Sequence, residues 1–275
     1  MWPLAICNEM WKDVPVEQVF SKAAAMGYSG VEIAPFTLAE SAEKVGATRR
    51  REIARAAADC GIRMPALHWL FVGPAGIHLT SPDEAVRRRT ADYLRALIDL
   101  CADLGGSILV HGSPKQRSFA SPDTFEDAWK RAQEMVASVV PQLKARRVTW
   151  CFEALSPVET NFVNTAEQAV QFADAIGEPE VVGIMLDTKA MSYMPGGPEK
   201  NLARFGRRAR HLHVNDPKGF GPGMSDFDYV PVLRAAKQAG YEGWVSAEPF
   251  NYEPDPDMVA RRTIETLKAA IEKIK

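Results

Sequence analysis

Short apolar segments alternate with longer amphipathic segments along the whole chain. The short segments are rich in β-branched and aromatic residues, as strands are, and the longer ones repeat apolar residues at helical spacing. Strands are predicted at 4–9, 30–34, 63–69, 107–112, 148–153, 181–187, 211–216 and 243–248. Regular alternation of strands and helices is typical of parallel α/β proteins, and eight such units predict a (β/α)8 barrel.

The intervening segments carry the signals of helix ends and loops. Helices are predicted within 16–27, 48–61 and 81–106, and several open with a Ser, Thr or Asp cap and close with Gly. Two segments rich in Pro and Gly, 189–200 and 216–226, are predicted to be loops, the first over the active face. A doubly wound sheet is the alternative fold, but it normally has a glycine-rich turn after the first strand, and 7–13 contains no glycine.

Length and composition favour one compact unit. The chain has 275 residues, which suits a barrel of about 250 residues or more. Hydrophobic residues make up 46% of it, which is enough for a large core. Because no linker or low-complexity segment interrupts the pattern, a single domain over 1–275 is predicted.

Charge and apolar patterning limit the partners. The 33 basic residues nearly balance the 35 acidic ones, so no nucleic-acid partner is expected, while a small substrate remains open. We expect a cytoplasmic protein with no membrane partner, since the chain shows neither a signal peptide nor an apolar run of about 20 residues. Its four separated cysteines are interpreted as reduced thiols, and a homo-oligomer remains open.

A polar or ionisable residue stands at the carboxyl end of every predicted strand. In a barrel these ends, with the loops that follow them, form the active face. Ordinary surface exposure explains any one such residue, but it is a poor explanation for eight that converge on one rim. The eight are Glu9, Glu32, His68, His111, Glu153, Asp187, His213 and Glu248.

Four of these residues form a candidate metal site. Glu153, Asp187, His213 and Glu248 follow strands five to eight, so they are predicted to stand side by side around half of the rim. Three carboxylates at such short range repel one another, and a divalent cation removes that repulsion. Oxygen ligands with one imidazole suit Mn²⁺, Mg²⁺ or Co²⁺, with Zn²⁺ as a further candidate.

Several motifs also resemble a known family. Segments 7–36, 151–159, 185–188, 211–216 and 221–249 are similar to the xylose isomerase-like TIM barrel superfamily. Within it, the chain resembles the sugar phosphate isomerase/epimerase group, which includes ketose 3-epimerases of the tagatose and psicose type. The most specific segment is 221–249, where a glycine-spaced loop, a helix and the YEGWVSAE strand occur as one unit.

The resemblance assigns roles to individual residues. It implies that Glu153, Asp187, His213 and Glu248 bind the metal, that Glu153 and Glu248 are also the acid/base pair, and that Glu159 contacts a substrate hydroxyl. Two positions depart from the ketose epimerases. Their His three residues after the strand-six Asp is Ala190 here, and their Arg six residues after the strand-seven His is Gly219, with Lys218 beside it as the candidate substrate contact.

Other polar and aromatic residues have two interpretations each. His68 and His111 are candidates for the substrate pocket or for the barrel core. Three aromatic residues follow strand ends, where aromatic rings commonly stack on sugars: Trp11, Trp69 and Phe250. Trp11 is counted among the substrate-binding candidates, and core packing is the alternative for all three. His211 is expected to point away from the barrel interior.

The predicted function is a metal-dependent sugar isomerase or epimerase acting on a small sugar or keto-sugar. The reaction removes a proton next to a carbonyl and passes through an enediolate, with Glu153 and Glu248 moving the proton. Return of the proton to the opposite face gives an epimer, and transfer to the neighbouring carbon gives an aldose–ketose isomer. The sequence does not distinguish these products.

Three other functions share parts of this pattern. A keto-sugar or cyclitol lyase or dehydratase begins with the same proton abstraction. An endonuclease IV-like nuclease shares many of the candidate ligand positions, including Asp226. However, Ala190 and Asp228 replace two histidines of its metal cluster. The near-neutral charge also gives no basic surface for a phosphate backbone. A non-catalytic sugar-binding protein would not need both Glu153 and Glu248.

Overall fold

Eight parallel strands form a barrel in the computed structural model, which describes residues 2–275; Met1 lies outside the described residues. The strands are β1 Leu4–Cys7, β2 Gly30–Glu32, β3 Ala66–Leu67, β4 Ile108–His111, β5 Thr149–Glu153, β6 Val182–Asp187, β7 Ala209–Val214 and β8 Trp244–Ala247. Their order in the sheet is β2-β1-β8-β7-β6-β5-β4-β3, and parallel bridges from Gly30 to Arg63 and from Ile33 to Leu67 connect the two edges. The predicted TIM barrel is confirmed.

Helices follow the strands and cover the outside of the barrel. They are α1 Val16–Met26, α2 Ala47–Asp59, α3 Glu84–Asp103, α4 Phe125–Arg146, α5 Ala166–Ile176, α6 Thr188–Met191, α7 Gly197–Phe205, α8 Tyr229–Gln238 and α9 Pro256–Glu272. Capping boxes start α4 at Thr124 and α5 at Thr165. Between residues 2 and 275, the structure contains no helix with the length and hydropathy needed to cross a bilayer.

The predicted loop at 189–200 is partly wrong. Thr188 begins the short helix α6, because the Asp187 side chain accepts a hydrogen bond from the Ala190 backbone N–H, 2.6 Å away, and caps its first turn. After a turn, α7 begins at Gly197. The Pro and Gly content therefore marks the turn between two helices, and the other predicted loop, 216–226, lies outside the helices and strands.

Alternation along the strands places the site inside the barrel. Residues two positions apart on a strand point to the same side. Met185 shares its side with Asp187, as Cys151 does with Glu153, and both belong to a small buried apolar cluster contributed by β3 to β6. The carboxylates therefore stand one layer above an apolar barrel interior, toward the carboxyl ends of the strands.

Candidate metal centre and active site

The four candidate ligands converge on one point. Each offers one ligand atom, and these atoms all lie within 4.8 Å of one another. The register explains part of this convergence, since Asp187 pairs with His213 across β6 and β7. All four side chains are buried, with at most 7% of any residue exposed. The four residues are Glu153, Asp187, His213 and Glu248.

The electrostatics of this group favour a cation. Burial raises the pKa of Glu153 well above its ordinary value, and the neighbouring Glu248 and Asp187 carboxylates add to the shift. Burial together with Glu248 raises the pKa of Asp187 to about 7. Asp187 also has a buried oxygen, Oδ2, without a hydrogen-bond partner among the described residues. Oxygen atoms in this environment fit a divalent ion, which would neutralise the repulsion and would coordinate the unpaired oxygen.

A glycine and a buried arginine position Glu153. A Cβ atom at Gly112, directly after β4, would overlap Glu153 Oε2, so the carboxylate keeps its present position only while residue 112 is glycine. The guanidinium of Arg117 is fully buried and donates from Nη1 to the Glu153 carbonyl oxygen at 2.6 Å and from Nη2 to the Val163 carbonyl oxygen at 3.3 Å. Burial lowers the pKa of Arg117 to about 10, against the opposing effect of Glu153 and Glu159. Arg117 thus ties the end of β5 to the loop that follows it.

Glu153 and Glu248, the candidate acid/base pair, line one cavity together with other predicted substrate-binding residues. Glu159 and His68 both line it, together with the aromatic residues Trp69 and Phe250. His68 Nε2 lies 2.8 Å from Glu9 Oε2, and although burial alone would lower the pKa of His68, Cys7 and Glu9 raise it well above its ordinary value. The cavity lining includes His68, Trp69, Glu153, Glu159, Glu248 and Phe250.

Lys189 is a cavity-side residue that the sequence analysis missed. Its ammonium donates to Glu159 Oε1 at 2.8 Å and lies 5.2 Å from the centroid of the Phe250 ring. Ser156 Oγ donates to the other oxygen, Glu159 Oε2, at 2.6 Å, so both oxygens of this carboxylate are held. The available signal was a basic residue two positions after the strand-six Asp, but the Pro and Gly content of 189–200 predicted only a loop there.

Three predicted substrate contacts do not line this cavity. His111 is fully buried, its ring centroid lies 4.6 Å from that of Phe71, and neither of its nitrogens has a hydrogen-bond partner among residues 2–275. Trp11 is also buried, and its Nε1 donates to Asp257 Oδ1 at 2.8 Å. Lys218 is exposed in the loop after β7. The cavity therefore brings together Glu159 and His68 but not these three residues.

The expectation for His211 is wrong. Residues 211 and 213 are two positions apart, so they point to the same side of β7, which is the interior of the barrel. Both rings reach Glu32 on β2: His211 Nε2 lies 2.8 Å from Oε2, and His213 Nε2 lies 2.9 Å from Oε1. Burial alone would raise the pKa of Glu32, but His213 and His211 hold it well below its ordinary value.

Three other positions of the nuclease comparison lie outside the four-residue group. Asp226 is exposed, and Asp228 caps α8 by accepting from the Val230 backbone N–H at 2.9 Å. His111 packs among aromatic rings. The four-residue group therefore does not extend to these side chains in the described part of the chain.

Comparison with known proteins identifies the family. The family model described as the xylose isomerase-like TIM barrel matches residues 20–270, so the chain belongs to this family. It is 28% identical to the D-psicose 3-epimerase of Ruminiclostridium cellulolyticum over 83% of this chain and 76% of that protein. It is 23% identical to the fructoselysine 3-epimerase of Shigella flexneri, over 94% of each. A crystal structure of the D-psicose 3-epimerase of Clostridium cellulolyticum H10 with D-tagatose superposes with a TM-score of 0.86 at 21% identity, covering all of both chains.

Proposed function

We propose that this protein is a divalent-metal-dependent sugar epimerase or isomerase that moves a proton on the carbon next to a carbonyl. One observation carries the proposal: Glu153 and Glu248 belong to a four-residue candidate metal group and also line a cavity with aromatic walls. A cation and two carboxylates at one substrate surface are the groups that this proton transfer requires.

Glu153, Asp187, His213 and Glu248 would hold the metal. Three carboxylates and one imidazole suit Mn²⁺, Mg²⁺ or Co²⁺, and Zn²⁺ also accepts such ligands. When bound, the ion supplies a Lewis acid for the oxygen next to the reacting carbon. The orphaned Asp187 Oδ2 supports this role, because a buried carboxylate oxygen without a partner is costly unless a cation or a proton satisfies it.

Glu153 and Glu248 would carry the proton. Glu153 ends β5 and Glu248 follows β8, the two outer strands of the four that hold the candidate ligands, so we expect the two carboxylates to approach the shared cavity from different sides. One carboxylate can then take a proton from one face of the substrate while the other returns a proton to the opposite face. Burial and the neighbouring Glu248 and Asp187 carboxylates raise the pKa of Glu153, so this carboxylate accepts a proton more readily than an exposed one.

The cavity wall would bind the rest of the substrate. Trp69 and Phe250 are in edge contact, with ring centroids 6.2 Å apart, and offer an apolar surface for a sugar ring or chain. Glu159 supplies hydrogen-bond acceptors beside the ammonium of Lys189. The names of the relatives share epimerisation at carbon 3 but differ in the sugar, so a ketose with an exchangeable proton at carbon 3 is the proposed substrate class.

Exchange in D₂O tests this proposal. Protein stripped with a chelator and reloaded separately with Mn²⁺, Co²⁺, Mg²⁺ or Zn²⁺ is incubated with a panel of ketoses and followed by NMR. We expect metal-dependent loss of the carbon-3 proton signal and appearance of the 3-epimer. Metal-loaded protein that exchanges no proton in any ketose would contradict the proposal, and a dehydrated product would favour the lyase.

A further inference from the structure

Glu32 is a buried carboxylate that is paired with histidines. It lies at the end of β2 with none of its surface exposed. His211 and His213 each place Nε2 within 2.9 Å of one of its oxygens, and His68 Nδ1 lies 3.7 Å from Oε1. Among residues 2–275, these histidines are its only ion-pair partners. A carboxylate buried to this degree requires donors on both oxygens.

The contact with Glu32 determines which nitrogen of His213 carries a proton. A carboxylate accepts hydrogen bonds, so His213 Nε2 must bear a hydrogen to satisfy Glu32 Oε1. Its other nitrogen, Nδ1, lies 3.0 Å from Glu248 Oε2, on the side of the four-residue group. Nδ1 is therefore the nitrogen that faces the candidate metal ligands, and its lone pair must be free for a cation to use it.

Glu248 alone would favour the opposite tautomer. In the absence of a cation, a neutral imidazole beside the Glu248 carboxylate gains a hydrogen bond by placing its proton on Nδ1. That proton occupies the lone pair that a metal needs. Glu32 opposes this preference, because moving the proton to Nδ1 would leave the Glu32 carboxylate without a donor at Oε1 in the barrel interior.

We propose that Glu32 is a positioning residue for the metal: it fixes His213 as the Nε2–H tautomer and so presents Nδ1 to the ion. β2 and β7 are not neighbours in the sheet, so this contact crosses the barrel interior and also restrains the orientation of the ring. Carboxylate–histidine–metal arrangements of this kind commonly orient ligands in metalloproteins. The inference rests on the proposed function in one respect, which is the assignment of His213 as a ligand.

Glu32→Gln is the direct test. Glutamine keeps the size of the side chain, but its single carbonyl oxygen can satisfy only one of the two ring N–H groups. We expect the affinity for Mn²⁺ or Zn²⁺, measured by titration calorimetry on the chelator-stripped full chain, to fall by about 10–100-fold. Wild-type affinity in Glu32→Gln would overturn the proposal.

Glu9→Gln is a matched control. Glu9 is also a buried carboxylate beside a histidine, with Oε2 2.8 Å from His68 Nε2, but it makes no hydrogen bond to His213. Its substitution should leave metal affinity within a few-fold of wild type, well short of the loss expected for an orienting partner. An equal loss of affinity in both variants would show that any buried carboxylate has this effect, and would overturn the specific role of Glu32.

The tautomer itself can be observed on the wild-type protein. In ¹⁵N-histidine-labelled, Zn²⁺-loaded protein, we expect the His213 resonances to show a proton on Nε2 and the metal on Nδ1. A metal on Nε2 would overturn the proposal even if Glu32→Gln does not fold. If the wild-type chain binds no divalent cation at all, the proposed metal site fails, and this outcome is distinct from failure of the role of Glu32 alone.

Discussion

Asp187 and His213 are register partners across β6 and β7, so their side chains leave the sheet side by side. This pairing joins the carboxylate whose pKa is raised to about 7 with the imidazole that lies between Glu32 and Glu248. The backbone of two neighbouring strands therefore fixes half of the candidate metal site. The other half comes from Glu153 and Glu248, on the strands that flank this pair.

Asp187→Asn and His213→Ala should abolish metal binding and activity together. Asparagine keeps an oxygen that can cap α6, so the fold should survive, but its amide nitrogen, which cannot bind a cation, then replaces the candidate ligand atom Oδ2. We expect metal affinity to fall by more than the ~10–100-fold that is typical when a residue that only orients a metal ligand is replaced. Metal content after dialysis against a dilute metal solution measures the loss, and full occupancy in either variant would exclude that residue as a ligand.

Gly112→Ala should disturb Glu153 without unfolding the protein. The added methyl group would overlap Glu153 Oε2, so the carboxylate must leave its present position among the candidate ligands. We expect weaker metal binding and lower turnover with nearly unchanged secondary structure by circular dichroism. Gly46→Ala is the control, because no atom lies within 4 Å of the position that its methyl group would take, and its φ is –66°. Equal effects of both substitutions would contradict this account of Gly112.

The stabilisation that metal confers should increase with pH. Because the folded pKa of Asp187 is about 7 and its unfolded value is about 4, the metal-free protein gains stability from this group at low pH and loses it as pH rises through 7. Metal binding displaces the proton and strengthens over the same interval. We expect the Tm difference between metal-loaded and chelated protein to grow between about pH 5.5 and about pH 8. A constant difference in scanning fluorimetry would contradict this reasoning.

Lys189→Met should weaken substrate binding more than chemistry. It removes the ammonium that holds Glu159 Oε1 at 2.8 Å, while the four candidate ligands remain. We expect KM for a ketose substrate to rise by about tenfold, the equivalent of one charge-assisted hydrogen bond, with a smaller change in kcat. Lys200→Met, at an exposed position on α7, is the control. A loss confined to kcat would place Lys189 in the chemical step instead.

The fold and the convergence of the four candidate ligands could be predicted because the signals for both are local. Each strand is an apolar run, and each ligand follows such a run, so parallel strands in a barrel must bring their carboxyl ends to one face. Glu153, Asp187, His213 and Glu248 required only this rule and the strand order.

Residues beyond the strands could not be placed by the same rule. Trp11 lies near a strand end, but its direction depends on a tertiary contact with Asp257. His111 is the last residue of β4 and alternates with Val110 of the apolar barrel interior, so the strand period turns it outward into an aromatic cluster. Lys189 reaches Glu159 from a short helix that the capping side chain of Asp187 starts, and the Pro and Gly content of 189–200 concealed that helix. His211 is different, since the two-residue period of a strand already places it beside His213.

The central claim is that Glu153 and Glu248 move the substrate proton at one metal site. Proton exchange by the variants Glu153→Gln and Glu248→Gln tests this claim most directly. Glutamine keeps a ligating oxygen but cannot accept the proton, so each variant should retain some metal and lose turnover by at least ~10²-fold. With one carboxylate serving each face, a single variant can still exchange a substrate C–H proton with D₂O from its intact side while net conversion stops. Turnover like that of the wild-type protein in either variant would contradict the account and remove that residue from the mechanism.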